Sequence, residues 1–320
     1  MTAAASRPVR LAIIGDIHDQ WTSDDTHALQ GLGVDAALFV GDFGNESVDV
    51  VRAIAAVPLP KAVILGNHDS WYTATPWGRK KCPYDRTRED RVQQQLDLLG
   101  EAHVGYGCLN WPDLGISVVG GRPFSWGGPN WSYAEFYRDR FGVLGMMDSA
   151  DRIARAAAQA TQPTLIFLGH NGPHGLGDNP ESICGRDWQP LGGDFGDPDL
   201  RQAIRTTQQR QQHVALVTFG HMHNHLRHRK DRLRQMTATD AQGTVYLNAA
   251  VVPRLLERDR GRLHQFVWLE LVAGKVTCAA SVWADRTGAI ASADWWIGHA
   301  PADFAQSAPT APRTIEASTL

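Results

Sequence analysis

Five short polar clusters hold the side chains best able to do chemistry: Gly15-Asp16-Ile17-His18, Gly41-Asp42, Gly66-Asn67-His68-Asp69, Gly169-His170-Asn171-Gly172-Pro173 and Gly220-His221-Met222-His223. Asp16 and His18 stand two residues apart, so on an extended backbone a carboxylate and an imidazole face one side. Taken singly, each cluster also reads as a capping turn or an ordinary satisfied histidine. Together, Asp16, His18, Asp42, Asn67, His170, His221 and His223 offer carboxylate, imidazole and amide oxygen. That is the donor set of a dinuclear Mn, Fe or Zn site, not of a thiolate one. Histidine is abundant, 13 in 320 residues, and it is the commonest metal ligand.

Each cluster follows a short apolar run. Val9–Ile14, Ala36–Val40, Lys61–Leu65, Thr164–Leu168 and Val214–Phe219 read as buried strands, and Ser47–Val57, ended by Pro58, as a connecting helix. Asp16 to Asp42 is 26 residues and Asp42 to Asn67 is 25, the length of one strand, one crossover and the return. Equivalent strand ends therefore recur. In an open α/β sheet such ends converge on one crevice, so donors about 200 residues apart can meet. The pattern predicts further helices at Glu89–Leu99, Ser149–Ala160 and Asp199–Gln212 and a strand at Ile116–Val119. It also predicts antiparallel strands at Thr244–Ala249, His264–Leu271 and Val276–Val282. Loop excursions interrupt the pattern near 71–91, 120–131 and 171–198; the first two carry Trp71, Trp77, Trp126 and Trp131, able to wall a base or aryl group or simply to pack.

The ordered set Asp16-x-His18, Gly41-Asp42, Gly66-Asn67-His68-Asp69, Gly169-His170 and Gly220-His221-x-His223 resembles the calcineurin-like metallophosphoesterase superfamily over residues 11–223. The resemblance implies a four-layer α/β/β/α sandwich of two mixed sheets with two divalent metals at the strand ends. It implies that Asp16, His18 and His223 hold one metal, Asn67, His170 and His221 the other, and that Asp42 bridges both. The stretch Asn171–Gly177, with Cys184–Trp188 and Gly192–Asp197 beyond it, is similar to a branch found in cyanobacteria and plant plastids.

Phosphate-ester cleavage needs neutralised non-bridging oxygens, a hydroxide at neutral pH and a proton for the leaving alkoxide; two cations about 3.5–4 Å apart supply the first two. His68, outside the ligand set, is expected as general acid and Asp69 as the carboxylate that orients it. Asn45 stands where protein phosphatases have Asp and purple acid phosphatases a tyrosine ligand, and Glu46 where protein phosphatases carry a phosphate-gripping arginine. An electropositive clamp must come from elsewhere, and Arg122 and Arg254 are the candidates, beside Asn67 as a substrate contact. The expected activity is hydrolysis of phosphate mono- or diesters. The alternatives are a nuclease or a non-catalytic metal-binding scaffold.

Composition bounds these readings. A chain of 320 residues, 43% hydrophobic and 20% charged, builds a real core, read here as one domain over 1–298 with a flexible tail over 299–320. The net charge is −3 (31 basic against 34 acidic), which disfavours nucleic acid as a partner. The run His225–Arg234, with five Lys or Arg against one Asp, is the local exception and reads first as a solvated turn. The longest apolar stretches fall far short of the roughly 18 residues of a spanning helix. No leader is evident and the cysteines Cys82, Cys108, Cys184 and Cys278 are widely spaced, so reduced thiols in a cytoplasmic protein are expected.

Overall fold

The structure, a computed structural model, describes residues 7–259 and 261–304. The chain opens with β1 (Val9–Ile14), α1 (Ser23–Gly31), β2 (Ala36–Phe39), α2 (Val48–Ala55) and β3 (Lys61–Val63). Helices α3 (Trp71–Ala74) and α4 (Pro76–Lys81) fill the first excursion, and α5 (Arg91–Leu99) follows it. Next come β4 (Cys108–Trp111), β5 (Ile116–Gly120), α6 (Ala134–Phe141), α7 (Met146–Ala157), β6 (Thr164–Leu168), α8 (Pro198–Gln209) and β7 (Val214–Phe219). The last part is all strand: β8 (Thr237–Thr239), β9 (Val245–Asn248), β10 (Leu255–Arg258), β11 (Gly261–Val272), β12 (Lys275–Ala284) and β13 (Ile290–Ile297).

Two mixed sheets result. One runs β13-β12-β11-β1-β2-β3, with β10 also on β11; the other runs β4-β5-β6-β7-β9-β8. Strands β1, β2 and β3 are parallel to one another, as are β5, β6, β7 and β9, so the ends that follow them open on shared edges. Alternation along β1 explains the layering. Leu11 and Ile13 point between the sheets into a core with Val118, Ile166, Leu216 and Leu269. Ala12 and Ile14 point outward, where Leu29, Val51 and Leu99 of α1, α2 and α5 cover them. On the far side, Ile153 of α7 and Leu200 and Ile204 of α8 cover Phe167 and Val217. The order of layers is therefore α/β/β/α.

Some expectations need correction. β9 pairs in parallel with β7 and only with β8 antiparallel, because the basic stretch after His223 carries the chain back far enough for a parallel return. The start of the expected flexible tail is packed: Phe304 is buried, its ring 5.0 Å from Trp268 and 4.9 Å from Trp295, while 305–320 lie outside the described residues. The strands not anticipated, β4, β8, β10 and β13, lie at or beside sheet edges, where half-exposed residues weaken the apolar pattern.

Candidate metal centre

After β1, β2 and β7 the backbone reverses abruptly where the donors stand. Asp16, His18, Asp42 and His221 take the left-handed conformation, with φ of 49°, 46°, 56° and 67°. That backbone costs a non-glycine residue on the order of 1–3 kcal/mol and clusters at functional sites. The reversals are stitched together: His18 N–H donates to Asp42 O (2.9 Å) and Gly220 N–H to His170 O (2.8 Å). The glycines before these donors make room for them. A Cβ on Gly66 would lie 2.3 Å from Asp42 Oδ1, and one on Gly220 would lie 2.5 Å from Asp16 Oδ1.

The seven donors converge. Ligand atoms of Asp16, His18 and His223 lie within 4.8 Å of one another, and so do those of Asp42, His170 and His221. A third group, His18, Asp42 and His68, makes Asp42 common to two triads and sets a His68 nitrogen beside them. Asn67 Oδ1 lies 2.9 Å from His170 Nε2, which is 3.3 Å from Asp42 Oδ1. His170 Nδ1 donates to Val40 O at 2.7 Å, which fixes the tautomer that leaves Nε2 as an acceptor for a cation.

Asp16 Oδ2, fully shielded from solvent, lies 3.1 Å from His223 Nε2 yet has no hydrogen-bond partner, and His223 Nε2 lies 3.3 Å from His18 Nε2. A carboxylate oxygen and two imidazole nitrogens gathered this closely suit ligands of one ion. The residues present thus fit a pair of divalent cations. Burial pushes the Asp16 carboxyl up, but His223, His170 and His18 bring it net below the usual carboxylate range. Burial likewise opposes ionisation of Asp42, and His170 and His68 hold it net below that range. Desolvation, aided by His170, pushes the His221 imidazole down to about 3, so it is neutral, as a ligand must be.

Three expected roles change. Asp69 does not touch His68. Its carboxylate is fully buried and accepts N–H bonds from Asp42 (3.0 Å), Phe43 (2.9 Å) and Gly66 (2.7 Å), clamping the second and third strand ends together. Asn45 orients His68 instead, its Oδ1 accepting from Nδ1 at 2.7 Å while Trp71 stacks on the ring at 4.9 Å and 15°. Desolvation pulls the His68 imidazole below its ordinary value against the pull of Asp42. Arg122 is buried away from the cleft between Asp197 (2.8 Å) and Asp199 (3.1 Å). Arg254 is buried on Asp25 at 2.8 Å. Both guanidiniums are spent on internal carboxylates, so neither can clamp substrate.

The cation that lines the cleft unpaired is Arg227. It belongs to the basic run, its backbone N–H is fixed by Asp187 Oδ2 (2.9 Å), and its guanidinium lies 5.3 Å from the Trp188 ring with no carboxylate partner among the described residues. Its neighbours are neutralised: Arg229 by Glu181 and Asp231, and Arg234 by Asp187. Sequence offered no means of telling these arginines apart.

With this geometry in hand, comparison with known proteins gives a consistent answer. The family profile for calcineurin-like phosphoesterases matches residues 9–225. The chain belongs to that family. Similar solved structures include a dimetal phosphatase from Danio rerio (12% identity, 87% of this chain and 96% of that one, TM-score 0.46). Another is a purple acid phosphatase from yellow lupin (16% identity, 98% of this chain and 58% of that one, TM-score 0.40). No curated relative matches the sequence. No helix among the described residues is long and apolar enough to cross a membrane.

Proposed function

We propose that this calcineurin-like phosphoesterase hydrolyses phosphate mono- or diesters with two divalent cations, one held by Asp16, His18 and His223 and the other by Asn67, His170 and His221, with Asp42 between them. The observation that carries this reading is the convergence of carboxylate and imidazole donors within 4.8 Å of one another, with the buried Asp16 Oδ2 left without a hydrogen-bond partner among them. Oxygen and imidazole donors suit Mn, Fe or Zn. When bound, such cations neutralise the phosphoryl oxygens and make water acidic enough to be a nucleophile near neutral pH.

The chain supplies the rest. His68, its Nδ1 held by Asn45, presents Nε2 to the leaving oxygen and gives it a proton. Arg227 binds a non-bridging oxygen, taking the part first expected of Arg122 or Arg254. Trp71 keeps the His68 ring from turning. The test reloads metal-stripped protein with Mn, Fe, Zn, Mg or Ni and assays aryl monoesters, aryl diesters, cyclic nucleotides and phosphopeptides alongside elemental analysis. Two equivalents bound and turnover of at least one ester class are expected, with Asp42→Asn binding fewer than two. Fewer than two equivalents in the unaltered protein, or two equivalents and no turnover of any class, would overturn the reading.

A further inference from the structure

His68 faces a cleft of about 390 Å³ whose lining also includes Trp71, Trp126, Trp188, Phe195 and Arg227. These rings come from three separate stretches of chain, and all four are partly open. Trp71 stacks on His68, and Trp126 extends that surface, its ring centroid 5.1 Å from Trp71 and tilted 33°. Trp188 and Phe195 meet edge to face at 4.8 Å, with Arg227 over Trp188. The other two tryptophans of the excursions do not line the cleft, although Trp77 meets Trp71 edge-on at 5.6 Å. Trp131 packs on Tyr137 and Arg122, and Trp77 is 54% exposed under Lys81.

We propose that the cleft selects esters whose leaving alcohol carries an aromatic ring, an inference that rests on the hydrolase reading above. The link is positional. Whatever hangs from the oxygen protonated by His68 must run beside Trp71, because Trp71 covers the His68 ring, and Trp126 continues that face. A flat π-system gains from offset stacking on two indoles in a way that a saturated ring of equal bulk does not. In the reaction, the bond from phosphorus to the leaving oxygen breaks as a bond to water oxygen forms. The alcohol departs with the proton delivered by His68; one water proton stays on the new phosphate oxygen, the other passes to solvent, and His68 regains its proton from solvent.

The decisive comparison is benzyl phosphate against cyclohexylmethyl phosphate, each also as its methyl diester. The two alcohols are similar in size and acidity, so intrinsic reactivity cancels. In the metal-loaded protein, kcat/KM is expected to favour benzyl by about 10-fold, equivalent to about 1.4 kcal/mol. The ratio should shrink toward 1 in Trp126→Leu and in Trp188→Leu and return in Trp126→Phe. Calorimetric binding of benzylphosphonate and cyclohexylmethylphosphonate, which cannot be hydrolysed, should show the same order and the same response. Turnover of both esters with a ratio near 1 overturns the aromatic preference and leaves the hydrolase reading standing. No turnover of either ester, nor of any ester class assayed above, with benzylphosphonate still bound more tightly, overturns the hydrolase reading and keeps the aromatic site. Equal binding of the two phosphonates overturns the inference whatever the turnover.

Discussion

The division of labour between Asn45 and Asp69 is drawn by one carbonyl and one carboxylate. Asn45 Oδ1 touches the His68 ring, so Asn45→Ala should lower kcat by roughly 10-fold or more, by letting the proposed general acid, a role worth about 10²–10⁴, turn from its place, with metal content unchanged. Asp69 accepts three backbone N–H bonds between the turns that carry Asp42 and Asn67. Asp69→Asn turns an amide donor toward those donors, and leaving one buried N–H unmet costs about 1–3 kcal/mol. Elemental analysis and a thermal melt should therefore record lost metal and a lower Tm, an effect that Asn45→Ala lacks. The sequence marked Asn45 only as a departure from other branches and assigned its task to Asp69, the nearest carboxylate in the chain. Proximity in sequence misled because the short 3₁₀ turn His68–Ser70 sends the two side chains in different directions.

At the level of elements, the strand ends work only where their backbones can nearly touch. Gly66→Ala would force a methyl against Asp42 Oδ1 and the His170 ring. Overpacking of this sort costs about 1–3 kcal/mol, and the groups that must yield are the ligands. The expected result is fewer than two metal equivalents in a protein whose circular dichroism is native. The first excursion is held by a different device. Glu46, fully buried at the end of the second strand, accepts from Thr73 N–H at 2.6 Å and from the Tyr84 hydroxyl. Burial pushes its carboxyl above the usual value against those bonds. Glu46→Ala should release residues 71–91, seen as faster hydrogen exchange confined to that stretch and, since α3 carries Trp71, as a raised KM. The glycine and carboxylate spacing made the strand ends readable beforehand. The excursion was readable only as an interruption, because α3 and α4 are too short to show a sustained period and Glu46 fixes the stretch at Thr73 and at Tyr84, on either side of α4.

Across the whole molecule, a buried cluster ties α1 to β11: Asp25 Oδ1 accepts from Arg254 Nη1 (2.8 Å) and pairs with His264 Nδ1 (2.9 Å), all three shielded. Burial raises the Asp25 carboxyl, but His264 and Arg254 bring it down to about 2. Because the folded value lies below the unfolded value of about 3.9, this stabilisation is complete above about pH 4 and is lost as pH falls through about 2. It is worth about 2–3 kcal/mol by linkage. Asp25→Asn should cost about 3–5 kcal/mol at pH 7 by stranding a buried guanidinium, and denaturant melts should show the gap to the unaltered protein narrowing between pH 4 and 2. Charge makes a second test. Arg229 and Arg234 of the basic run are paired internally, whereas Lys230 Nζ donates only to the Leu226 carbonyl, which leaves Arg227, Lys230 and Arg232 without carboxylate partners among the described residues. Any DNA binding should thus be weak, with a log–log salt slope no steeper than about −3; a steeper slope in a salt titration would favour a nuclease. The amino-acid sequence by itself determined the strands that lead to the donors and the donors at their ends, though not the parallel direction of β9, because apolar runs and Gly-Asp or Gly-His reversals are local signals carried by neighbouring residues. Only the tertiary structure decided which arginine reaches the cleft, which group steadies His68 and which tryptophans line the site. Those are questions of which distant partner neutralises or packs each side chain first, and Arg122, Arg227, Arg234 and Arg254 are alike until Asp25, Asp187, Asp197 and Asp199 take up three of them.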